Sequence, residues 1–206
     1  RMPDASALAM DAWSQGVVLV ASLSRAAWSD NLHQGVDISR IINKNTLDYE
    51  SRMAFLMFSS IIQYRLGNFN SAKSLINEAI LDPYVQENER WLGTAYVICG
   101  IIYWLSGEHQ KLKEICAAIL RLGSKYKAPH QLGNAHKRLA HLYMLQGQYS
   151  EARQELELSR SAFLEGNNIF FSYLNDLDTI WLQIQSGESA AELVQESERL
   201  VKVLSG

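Results

Sequence analysis

Three histidines and two cations share one short stretch of this chain: His130, His136 and His141, with Asn134, Lys137 and Arg138 between them. Imidazoles can ligate a metal or carry protons. A metal pair on a helix needs ligands one turn apart, and steps of six and five residues do not put two of these rings on one face. The expectation is no metal, with the imidazoles solvated or lining a groove. The only two cysteines, Cys99 and Cys116, cannot make a disulfide framework. Both fall at inward-facing positions of one expected helix pair, where a thiol behaves as a small hydrophobe and not as a nucleophile. No glycine-rich phosphate loop, paired-carboxylate motif or nucleophile elbow is present. The residues therefore suggest a non-catalytic binding protein without a cofactor.

The elements that must position these side chains are set by four glycines. Gly67, Gly107, Gly147 and Gly187 stand 40 residues apart, each between two apolar stretches of helical period. The first three copies share more than the glycine. Five residues after it stand Ala72, Leu112 and Ala152; nine after it stand Ile76, Cys116 and Leu156; seven before it stand the small residues Ser60, Gly100 and Ala140. Small residues at fixed offsets let helices approach closely. The fourth copy is worn, with Ser189 where the others carry a ring and its small residue at Ala191. This pattern predicts an all-α, right-handed superhelical array of antiparallel two-helix repeats, one domain over residues 1–206. A degenerate hairpin at 5–43, its first helix interrupted or kinked near Gly16, precedes repeats at about 46–83, 87–123, 129–165 and 168–204. Pro83 is expected to end one helix, Gly123 another, and Gly166 with Asn167 a third.

Composition agrees with helix. Hydrophobic residues make up 48% of the 206 positions, enough for a core, and three prolines and twelve glycines argue against a loop-rich fold. A net charge of −3 without long runs of either sign gives no reason to expect nucleic acid or an anionic membrane. The start at Arg1, Met2, Pro3 and Asp4 lacks the order of a secretory signal and reads as the edge of a segment, so a cytoplasmic location is expected.

The stretch from Gly133 to Leu164 carries a Tyr four places before Gly147, an aromatic two places after it and an Ala three further on. In these features it resembles a tetratricopeptide repeat. It lacks that repeat's early Trp, shows the closing Pro only as Pro83 in the first copy, and has a longer period. Over residues 16–204 the longer copies are similar to the helical sensor array of MalT-like bacterial transcription activators, which join an ATPase module to a LuxR-type DNA-binding module. The resemblance implies an arm that senses an inducer or holds a partner protein, with the phosphate-binding loop and DNA-binding helices outside this segment.

In tetratricopeptide-like stacks the first helix of each pair lines a concave face. Carried over by offset, that face would offer Met57, Ile61 and Tyr64, then Val97, Ile101 and Trp104, then Asn134, Lys137, His141 and Met144, and finally Leu177, Trp181 and Ile184. An apolar groove with one basic station, Lys137 with Arg138 beside it, would suit an amphipathic helix, a peptide carboxylate or a small inducer. The alternative to a regulator's sensing arm is a stand-alone adaptor or chaperone holding a peptide. In a tightly wound array the same side chains would instead pack on one another.

Overall fold

The computed structural model describes residues 12–29 and 31–187, with single residues 195, 198, 199 and 202 beyond them. The expected first turn at 5–11 and most of the expected helix at 189–204, including Ser189 and Ala191, lie outside the described residues. Among the described residues the chain is all-helical, without a strand. None of the described helices is long and apolar enough to cross a membrane. Two compact units meet in the chain between Ile102 and Tyr103.

The first unit holds α1 (Ala12–Trp28), α2 (Leu32–Ile41), a 3-10 turn (Lys44–Thr46), α3 (Tyr49–Arg65), α4 (Phe69–Leu81), the short α5 (Pro83–Glu87) and most of α6 (Glu89–Leu105). α1, α2 and α4 all pack on α3. Leu23, Ala26 and Ala27 of α1 are buried. The end of α1 is held by the Arg65 guanidinium, which donates to the carbonyls of Ala27 and Ser29 at 2.8 Å each. Asp48 caps α3 by accepting from the Ser51 N–H at 2.8 Å.

The second unit takes the end of α6 with α7 (His109–Tyr126), α8 (Pro129–Leu145), α9 (Tyr149–Glu165) and α10 (Ile169–Gln185). α8 packs on both α7 and α9, and α9 packs on α10. Helices α8 and α9 run in opposite directions. Gly133, near the start of α8, accepts from Ser159 Oγ near the end of α9 at 2.8 Å. At the other end Ala140 and Met144 share a core cluster with Ala152, Leu156 and Leu182.

All four spaced glycines take a left-handed backbone, with φ of 79°, 73°, 71° and 85° in chain order. A side chain is strained in that conformation, which is why glycine is needed there. At Gly67 the cap is a doubly bonded one: the Gly67 N–H donates to Tyr64 O at 3.0 Å and the Asn68 N–H to Gln63 O at 2.9 Å. The same pair of bonds recurs at Gly107 and Gly147. The shared offsets have a physical meaning too. Ala72, Leu112 and Ala152 are each 0% exposed, and Ile76, Cys116 and Leu156 are 2% or less. Because Ala152 sits where α8, α9 and Leu182 of α10 converge, Ala152→Leu is expected to overpack the site and lower stability by about 1–3 kcal/mol. A denaturation midpoint equal to wild type would contradict that packing.

Two expected boundaries are corrected and a third gains a second role. α1 runs through Gly16 as one helix, without the interruption expected there. Pro83 does not merely end a helix; it opens α5 at the first helical position, with Asp82 accepting from the Tyr84 N–H at 2.9 Å and paired with Arg52. Gly123 does not stop α7, which continues to Tyr126 and ends on the left-handed Lys127. Gly123 serves close packing instead, since a Cβ there would lie 2.8 Å from Leu132 Cδ2. The third helix end is at the expected place, but Asn167, with φ of 52°, takes the left-handed position and Gly166 does not.

Candidate functional site

Lys137, His141 and Arg138 project from α8, and the structure gives them a partner that the sequence reading passed over. Lys137 Nζ lies 2.8 Å from Asp178 Oδ2 of α10, and His141 Nε2 lies 3.1 Å from the same oxygen. The other ring nitrogen of His141, Nδ1, is 3.2 Å from Arg138 Nη1. An arginine can only donate, so Nδ1 must accept and the ring proton sits on Nε2, facing Asp178. Trp104 and Trp181 flank the imidazole, with ring centroids 4.8 and 5.8 Å away. Asn134, one turn earlier, donates to the His130 carbonyl at 2.9 Å.

The cluster is enclosed. Lys137 is 8% exposed and His141 4%. Burial pushes the Lys137 ammonium below its usual pKa, against the pull of Asp178, and burial likewise depresses that of His141. For Asp178 burial favours the neutral acid, but His141 and Lys137 beside it outweigh that and hold its carboxyl below the usual range. Neither His141 Nε2 nor Asp178 Oδ2 has a partner in good hydrogen-bond geometry, so the neutral ring turns its N–H toward the carboxylate by proximity alone.

This placement corrects the expected groove. Met57, Ile61, Val97 and Met144 are buried core residues, and Asn134, Lys137 and His141 are buried polar ones. Tyr64, Ile101 and Trp104 are half-buried, and Trp104 packs on the Leu112, Cys116 and Leu142 cluster. Trp181, at 36% exposed, and Ile184 remain open at the surface, and Leu177 is half-buried. The basic station is thus not held out for a partner's carboxylate, because Asp178 already supplies one. Its signal in the sequence was the pair Asp176 and Asp178, the only charges in α10. Asp176 meets a cation too, accepting from Arg160 Nε at 2.8 Å.

The remaining chemical candidates resolve into structure. His136 Nδ1 lies 2.7 Å from Glu155 Oε2, linking α8 to α9. Among the described residues no group of three His, Cys, Asp or Glu side chains is placed to hold a metal. Cys99 and Cys116 are buried, and burial pushes the Cys116 thiol up to about 12, which suppresses the thiolate that nucleophilic chemistry needs.

An open site exists elsewhere, in the first unit. A groove of about 390 Å³ is walled by Val17, Val20 and Ala21 of α1, by Ala54 and Phe58 of α3, and by Trp91 of α6. Its one ionisable side chain is Glu50. The sequence pattern did not show it because α1 lies outside the repeat offsets, and of the wall residues only Ala54 stands at a groove offset, the one it shares with Asn134. No family model matches the chain, and no curated protein matches it.

Proposed function

We propose that this chain is a binding module, the effector-sensing arm of a larger bacterial regulator, and that the effector docks in the groove between α1, α3 and α6. The observation that carries the reading is that groove: an apolar hollow of about 390 Å³, open to solvent and walled by two aromatic rings. Volumes of about 300–1,000 Å³ with apolar walls and few polar groups are typical of small-molecule sites. This favours a small inducer over the peptide of an adaptor or chaperone. The resemblance to the sensor arrays of MalT-like activators supports the same reading, as do the helix pairs closed by left-handed glycines.

Two observations test it. The gene's full length should add a phosphate-binding loop and DNA-binding helices to this segment; a stand-alone gene would favour the adaptor. A neutral apolar probe, 4-phenylbutanol, should shift backbone amide resonances around Val20, Ala54 and Trp91. Shifts centred on Lys137 and Asp178 instead would move the site to the second unit and contradict the proposal.

A further inference from the structure

The groove's one ionisable group points to the chemistry of its ligand. Glu50 lies in the first turn of α3 and is exposed. Its Oε1 meets the Tyr84 hydroxyl at 3.4 Å, and among the described residues its carboxylate faces no cation. Of the two wall hydroxyls, that of Ser51 already donates to Asp48 Oδ2 at 3.0 Å, and that of Ser24 carries no charge. The groove therefore presents an apolar floor, two aromatic rings and one carboxylate without a counter-charge.

We infer that this groove takes a small amphiphilic cation, an apolar body carrying one ammonium group, with the body against Val20, Ala54, Phe58 and Trp91 and the ammonium at Glu50. The inference rests on the groove being the effector site. Each part of such a ligand meets a matching surface. The apolar body removes wall area from water, which drives binding without regard to charge. The ammonium gains the Glu50 carboxylate, and aromatic faces attract cations through their quadrupole. A carboxylate ligand of the same shape would meet repulsion from Glu50, and a neutral alcohol would gain only the apolar part.

Three probes of one length separate these contributions: 4-phenylbutylamine, 4-phenylbutanol and 4-phenylbutyrate, each titrated calorimetrically into the protein at neutral pH. The amine should bind about tenfold more tightly than the alcohol, and the alcohol more tightly than the acid. Glu50→Gln, a change at an exposed position, should remove most of the amine's advantage over the alcohol, leaving only what the rings supply, and leave the alcohol unchanged. Glu50→Lys should invert the order in favour of the acid. Equal affinities of amine and alcohol for the wild type would overturn the cationic class while leaving the groove as a site. No binding of any probe at millimolar concentration would overturn both the class and the groove.

Discussion

Lys137→Glu is expected to destabilise the fold by about 3–5 kcal/mol, the cost of removing one partner from a buried ion pair. The reason is the carboxylate opposite. Asp178 Oδ2 lies 2.8 Å from Lys137 Nζ, and the lysine is 8% exposed, so the variant would bury two facing carboxylates without their cation. His141, 3.1 Å from the same oxygen, could take up charge in compensation. A protonated ring, however, would turn Nδ1 into a donor facing the Arg138 guanidinium 3.2 Å away. Urea denaturation followed by circular dichroism measures the loss. A lysine held out for a partner would give a variant as stable as wild type, which is what the sequence alone suggested.

Phe163→Ala should cost a similar amount, about 3–5 kcal/mol, because it empties the best-buried large side chain of the second unit. Phe163 is 0% exposed and stacks on Phe171 with centroids 5.4 Å apart. Its ring also fills the space left by the missing side chain of Gly133, where a Cβ would lie 2.7 Å from Phe163 Cδ1 and Cε1. The two residues fix how closely α8 and α9 approach, and Ser159 adds the hydrogen bond to the Gly133 carbonyl. The same denaturation experiment reads the effect. A loss below about 1 kcal/mol would mean that Phe171 refills the space and that the pair does not set the helix separation.

What the sequence revealed and what it concealed divide along a physical line. Local requirements were legible. Gly67, Gly107, Gly147 and Gly187 had to be glycine because each takes a positive φ at a helix end. Ala152 and Cys116 had to be buried because they fall on the inward stripe of amphipathic helices. Gly123 misled because the same residue type serves two purposes, a left-handed cap or a close approach, and only the contact with Leu132 distinguishes them. The site was harder to read because it depends on pairings between helices. Lys137 and Asp178 lie on different helices, α8 and α10, and no periodic pattern within either one reveals that they meet. The groove of α1, α3 and α6 was hidden for the same reason, since it joins residues as far apart as Val17 and Trp91.

The predicted basic station is an internal ion pair and not a docking point. The most direct measurement compares the unfolding free energies of Lys137→Met, Asp178→Leu and the double variant with that of wild type. Each single change leaves one buried charge without its counter-ion, whereas the double change replaces the pair with apolar side chains of similar size. The account predicts that each single variant loses several kcal/mol and that the double variant recovers most of it. Losses that simply add in the double variant, or single variants as stable as wild type, would contradict the pairing.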